Sequence, residues 1–304
     1  MFLKTLKKYR LIFFLGIVAL TLVGCRHLDE LGTGKLQVNP QNFGTLENGF
    51  HYENWAIIDG QPIPAGKFNV SADGRLTTVD GSIIANNEFN VNGDLSRATA
   101  IIITIEPAGD TDTIPAATHY AAASLIDGSG TLTINASTAL GTDFSSAAGK
   151  YILATPTNGP DTNENSGVWF LDPATGPGVG LTLPTLPAGW QYEGWAVING
   201  VPVTSGKFTS VSDFDLFDDF SGPEPGPPFP GEDFLVNAPS GVTFPTDLSG
   251  TTIVISVEPQ PDDSPAPFHL KPLMGNVPTP AQDHLVYPLD NNAVNLPTGQ
   301  VSIR

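Results

Sequence analysis

The sequence predicts an all-β chain built as two tandem antiparallel β-sandwiches behind an export segment, and three observations carry that expectation. Of 304 residues, 32 are glycine and 28 proline, while only 14% are charged. This composition suits short strands and frequent turns and argues against long, charge-laced helices. Apolar and polar residues alternate in several short runs, which is the period of a strand. Two stretches about 140 residues apart share one pattern of aromatics, glycines and prolines, the mark of a duplicated unit.

The export segment comes first. Lys4, Lys7, Lys8 and Arg10 precede an apolar run from Leu11 to Gly24, too short to span a bilayer comfortably and shaped like a signal-peptide core. The run ends at Leu22-Val23-Gly24-Cys25, which holds the chain's sole cysteine. This tetrapeptide resembles the lipobox of bacterial lipoproteins, in which the cysteine is lipidated and becomes the first mature residue. The resemblance implies a signal peptide over residues 1–24 and a lipidated Cys25 opening a tether over 25–34. With Arg26 next, it also implies sorting to the outer membrane of the cell envelope, on the periplasmic or the surface face. An ordinary signal peptide with a chance cysteine is the competing reading.

Charge and cysteine usage then exclude several function classes. The chain carries 31 acidic against 13 basic residues, a net charge of −18. Loss of the four basic residues before Cys25 takes the mature chain to about −22, so acyl chains rather than positive charge must hold it to a membrane. A surface this acidic repels nucleic acid. With its only thiol lipidated, the mature chain has no disulfide, cysteine-ligated zinc or cysteine nucleophile.

The duplication is explicit in the residues. Gly49-Phe50-His51-Tyr52-Glu53-Asn54-Trp55-Ala56-Ile57-Ile58 matches Gly189-Trp190-Gln191-Tyr192-Glu193-Gly194-Trp195-Ala196-Val197-Ile198, and the match runs on through Gly66-Lys67-Phe68 and Gly206-Lys207-Phe208. A second block, Ile101 to Pro107, matches Ile253 to Pro259. Its wider offset places an insertion in the second copy, expected in the Pro-rich stretch Ser221–Phe234. A weaker match sets Ser166–Phe170 beside Thr298–Ser302 at the ends of the units. The expected units are therefore 35–172 and 173–304, the second with an acidic, Pro-rich insertion.

Within each unit, alternation around Tyr52 predicts a sheet strand. The Ile101–Ile105 and Ile253–Val257 runs, apolar on both faces and closed by Glu-Pro, predict central strands. Gly130–Asn135, Lys150–Ala154, Val168–Leu171, Leu285–Tyr287 and Gln300–Ile303 are further strand candidates. Asp59-Gly60 and Asn199-Gly200 supply hairpin turns. Six or seven strands per unit fit an Ig-like sandwich.

As a set, these motifs resemble the extracytoplasmic C-terminal domain of anti-sigma-K factors of the RskA type. The residues that carry the likeness are Tyr52, Glu53, Trp55, Gly66, Phe68, Glu106 and Pro107, and again Tyr192, Glu193, Trp195, Gly206, Phe208, Glu258 and Pro259. An Asp- and Pro-containing loop follows each Glu-Pro. The resemblance implies the fold and a sensing or scaffolding role outside the membrane. It does not imply sigma-factor inhibition, which in that family belongs to a cytoplasmic helical domain.

Chemistry-bearing candidates are few. Tyr52/Trp55 and Tyr192/Trp195 invite a sugar-stacking reading, but strand positions three apart face opposite ways, which favours packing. Glu53 and Glu193 read as orienting groups or as a solvated outer face. Asp213, Asp215, Asp218 and Asp219 form the densest acidic cluster, with oxygen ligands at loop spacing as Ca²⁺ prefers. A solvated loop stiffened by proline explains them too. His119 and His269 occupy matched places without a second ligand at metal spacing, and His51 is scattered with the rest. No Gly-x-Ser-x-Gly elbow or phosphate-binding loop is present. The expectation is a non-enzymatic binding, sensor or scaffold protein with an envelope protein or glycan as partner and no required cofactor. A carbohydrate- or calcium-binding module is the alternative, and an envelope hydrolase stands behind it.

Overall fold

The computed structural model describes residues 33–159, 162–262 and 264–304. The signal segment and Cys25, with most of the tether, lie outside the described residues. Those described form twenty strands and five short 3-10 turns, with no α-helix among them, as the glycine and proline content anticipates. The first half contributes β1 (Thr33–Gln41), β2 (His51–Ile58), β3 (Gln61–Val70), β4 (Leu76–Thr77) and β5 (Glu88–Asn92), followed by β6 (Ala98–Glu106), β7 (His119–Ser124), β8 (Ser129–Thr133), β9 (Ala148–Leu153) and β10 (Gly167–Trp169). The short strands β11 (Leu171–Asp172), β12 (Gly178–Val179) and β13 (Leu181–Thr182) come next. They lead into β14 (Trp190–Ile198), β15 (Val201–Phe208), β16 (Gly231–Asp233), β17 (Thr252–Pro259), β18 (Leu273–Asn276), β19 (Tyr287–Asn291) and β20 (Thr298–Ile303).

Two antiparallel sheets dominate. Their orders are β4-β3-β2-β6-β7-β8-β20-β1-β5 and β15-β14-β17-β18-β19-β9-β10-β16. Apart from β4, each strand of one sheet has a counterpart in the same place in the other, so the duplication is structural as well as textual. The turns form as the sequence demands. Asp59 and Gly60 at φ 52° and 76°, and Asn199 and Gly200 at 52° and 82°, give the doubly left-handed corner that a two-residue hairpin needs. The runs expected to be central are central, with β6 between β2 and β7 and β17 between β14 and β18.

The division of the chain differs from the expected 35–172 and 173–304. Each repeat supplies seven large strands to its own sheet and gives its eighth to the other. β20, the last strand of the chain, lies between β8 and β1, with Val301 opposite both Val38 and Gly130. Reciprocally, β9 lies between β19 and β10, with Tyr151 opposite Tyr287 and Leu153 opposite Val168. The strand at Gly167–Trp169 is thus the first of the second repeat and the counterpart of β1. Its expected match to Thr298–Ser302 does not hold, since that segment is the counterpart of β9. The extra length of the second copy is also redistributed. It falls mainly after β16, where residues 234–251 replace the short connection 93–97, and only in part before it.

Each sheet curls until strands at its two ends, β3 and β5 or β15 and β16, approach one another. The ladder shifts register between Glu53 and Trp55 and between Gly194 and Trp195. Opposite these shifts Gly66 and Gly206 take φ of 119° and 111°, a conformation that a side chain resists. The Phe89 ring covers Gly66, whereas the Asp215 carboxylate covers Gly206. The inward faces form one continuous apolar core. Tyr52 stacks on Phe68 at 5.1 Å and Tyr192 on Phe208 at 5.5 Å. Between the repeats, Tyr120 meets Trp190 at 6.4 Å and Phe268 at 6.3 Å, and the His269 imidazole bonds the Tyr120 hydroxyl.

Residues 33–158 produced alone lack the strand that fills the gap between β8 and β1, and their thermal melt is expected to be broad and non-cooperative. Mixing with residues 162–304 should restore one sharp transition. Two sharp, independent melts from the separate fragments would show that neither sheet needs the exchanged strand.

Candidate functional site

Glu53, Trp55 and Glu106 of the motif, with their counterparts Glu193, Trp195 and Glu258, converge on the outer face of each sheet's central strands. Along β2, Tyr52 points into the core, while His51, Glu53 and Trp55 lie on the opposite face, as the strand period requires. That face is covered rather than solvated: His51, Glu53 and Trp55 are all buried. Trp55 packs with Ile102, Ala122 and Ala139 in a separate apolar cluster. Its indole Nε1 donates to Thr104 Oγ1 at 2.8 Å, and that hydroxyl donates to the Glu106 carboxylate, which also accepts from Ala116 N at 3.0 Å. The second repeat repeats the relay. Trp195 Nε1 donates to Ser256 Oγ at 2.8 Å, Ser256 donates to Glu258, and Glu258 accepts from Phe268 N at 2.9 Å. In both copies the Glu of Glu-Pro thus pins the loop that follows its strand. Pro107 opens that loop, and Pro259 forms the last residue of β17.

Beside each relay lies a lysine among carboxylates. Lys67 Nζ is 2.8 Å from Asp110 Oδ2 and 3.4 Å from Glu53 Oε2. Lys207 Nζ is 2.7 Å from Asp262 Oδ2 and 3.7 Å from Glu193 Oε2. Two groups have ligand atoms within 4.8 Å of one another, His51 with Glu53 and Asp110, and Glu193 with Glu258 and Asp262. Loss of solvent dominates their titration. Burial pushes Glu53 and Glu193 up to about 7, against which the lysines pull only partly, and Glu258 up to about 8. The reading of Glu53 and Glu193 as a solvated face is therefore corrected: loops distant in sequence close over them.

The second candidate region belongs to the second repeat alone. Residues 209–230 fold over the β15–β16 edge and, with Thr157 and Trp169, enclose a cleft of about 380 Å³. Asp233 is its anchor, accepting from Trp169 Nε1 at 2.7 Å, from Thr157 N at 2.8 Å and from the Thr157 hydroxyl. Asp215 fixes the other wall, accepting from Gly231 N at 2.8 Å and Phe217 N at 2.9 Å. Burial raises Asp215 to about 6 and Glu232, held by Ser221, to about 8. The mouth is built differently: Phe214 and Leu216 stand out at 61% and 78% exposure, beside the exposed Asp218 and Glu224. Rings and carboxylates at one opening can stack against apolar faces and accept hydrogen bonds from hydroxyls.

The proposed calcium ligands do not assemble. Asp215 turns inward onto backbone amides, while Asp213, Asp218 and Asp219 stay exposed. None of the four belongs to a cluster with converging ligand atoms among the described residues. The clusters that do converge were missed in the sequence because their members on the strand and on the loop are separated by about sixty residues. The signal available was the repetition of Glu, Lys and Asp at matched places in both copies. Comparison with protein-family models, curated proteins and solved structures returns no match.

Trp195→Phe keeps the ring but removes the donor to Ser256 Oγ, and is expected to lower stability by about 1–3 kcal/mol in denaturant titration. The raised carboxyls also set a pH dependence. An unfolded glutamate gives up its proton near 4.5, whereas these hold theirs to about 7 or 8 in the fold. The native state then binds more protons across that window, so stability falls as pH rises through it and levels off above. Thermal melts should show a lower transition at about pH 8 than at about pH 5, with the difference reduced in Glu258→Gln and Glu232→Gln.

Proposed function

We propose that this chain is a non-enzymatic binding and scaffold protein of the bacterial cell envelope, held to the membrane by lipid on Cys25, with its cleft at residues 213–231 turned toward an envelope glycan. The observation that carries this reading is the asymmetry of the copies. At the same edge of the sheet the first repeat is sealed by Phe89 over Gly66, while the second replaces the seal with Asp215 and an ordered, ring-lined opening. A copy that keeps the shared framework and builds an opening at one edge has elaborated a surface rather than a core. Exposed Phe214 and Leu216 have no packing role that would explain them, and a sugar offers the apolar ring face and hydroxyls that such a mouth suits. The resemblance to the anti-sigma-K extracytoplasmic domain supports the scaffold or sensor part of the reading.

Isothermal titration with soluble glycan fragments of the envelope tests it. Binding by the mature chain should fall at least about tenfold in Phe214→Ala and in Asp218→Asn, the loss expected from about 1.4 kcal/mol of lost contact. Equal binding by both variants would move recognition to surfaces that the two repeats share, and the absence of binding to any fragment would remove the glycan as partner.

A further inference from the structure

We propose that the first repeat is a metal site, binding one zinc-type divalent ion through His51, Glu53 and Asp110. The three groups come from β2 and from the loop after β6. His51 and Glu53 are two apart on one strand and so share a face, and Asp110 is brought over them by the turn that Glu106 pins. Their candidate ligand atoms lie within 4.8 Å of one another. Around a tetrahedral ion with ligands at about 2.0–2.1 Å, side-chain rotation alone closes that distance.

The imidazole distinguishes this cluster from an ordinary group of acids. His51 Nε2 is buried without a hydrogen-bond partner, while Glu53 Oε2 has only the Lys67 ammonium at 3.4 Å, and each residue is only 3% exposed. His51 Nδ1 faces the Gly49 carbonyl at 3.5 Å. A proton on Nδ1 leaves the buried Nε2 with its lone pair free, the form in which an imidazole ligates a metal while its second nitrogen faces a carbonyl.

The second repeat supplies an internal control. Its counterpart of His51 is Gln191, whose side chain bonds Gln260, so that cluster presents carboxylates around Lys207 and no nitrogen. Only the first copy offers the mixed nitrogen and carboxylate set that zinc prefers. Lys67 stands where the ion would sit. Its ammonium offers one positive charge to the two carboxylates of Glu53 and Asp110, while a divalent ion offers two. The Lys67 side chain is 30% exposed, which gives it a path outward to solvent when the ion enters. Three protein ligands leave a further coordination position open.

The test uses the mature chain freed of metal by chelation and titrated with Zn²⁺ and Co²⁺. The expected result is one equivalent bound, a raised melting temperature, and visible absorption from the Co²⁺ form. His51→Gln installs the residue that the second repeat tolerates at this place and should abolish all three. Asp110→Asn, on a loop, should weaken binding at least about tenfold. Lys67→Met should tighten it by a similar factor. Failure of the native chain to take up a stoichiometric ion overturns the proposal, as does equal binding by His51→Gln and Asp110→Asn in chains whose metal-free melts match the native one.

Discussion

A strand inside a sheet must have both of its edges hydrogen-bonded, and in this protein that requirement is met across the two repeats. β20 closes the first sheet and β9 the second. Each repeat therefore depends on the other for a strand flanked on both sides, and leaving such backbone unpaired in an apolar setting is costly. The exchange also places Tyr120 against Trp190, Phe268 and His269 and the Tyr52 hydroxyl beside His269, so the two inward faces merge into one core. The relative placement of the repeats is consequently fixed by main-chain pairing and not by the short connection between them.

Within that frame, the buried polar relay acts as a clamp from sheet to loop. Carboxylates of Glu106 and Glu258 accept from a hydroxyl and from a loop amide, and in the first copy the tryptophan that donates to the hydroxyl, Trp55, is itself held in a dry outer cluster. Burial opposes the ionisation of Glu53, Glu193 and Glu258, which therefore retain protons well above the ordinary carboxylate range. Lys67 and Lys207 offset part of this, and removing such a counter-ion from a buried cluster is more disruptive than never having built the pair. The same arrangement in both copies implies that the clamp predates their divergence.

Divergence then took two directions. The first copy acquired or kept an imidazole at position 51, beside the Glu53 carboxylate that Lys67 faces. The second lengthened its connections on both sides of β16 and opened a cleft where the first is sealed by an aromatic ring. Phe89 against Gly66 and Asp215 against Gly206 are alternative solutions to one geometric problem, since a glycine at positive φ leaves a hollow that something must fill. A ring fills it and ends the matter. A carboxylate fills it and accepts backbone amides, which organises the loop above.

Much of the fold was legible in the residues. The paired turns at Asp59-Gly60 and Asn199-Gly200, the central Ile runs and the all-β class follow from local chemistry, because positive φ and period-two burial leave direct marks. The duplication gave the two copies and their shared motif, and the spacing of Tyr52 and Trp55 placed them on opposite faces. Burial of Glu53 and Glu193 was not legible, since it depends on loops about sixty residues away that alternation along one strand cannot reveal. Nor was the cleft, because the dense Asp run at 213–219 looks the same whether its members converge or, as here, split between backbone amides and solvent. The exchange of β9 and β20 was hidden for a simple reason. Each has the pattern of a sheet strand, and that pattern specifies which face is buried but not which neighbouring edge supplies the hydrogen bonds. Local sequence determined what each segment becomes, and only the tertiary structure decided which repeat each terminal strand completes.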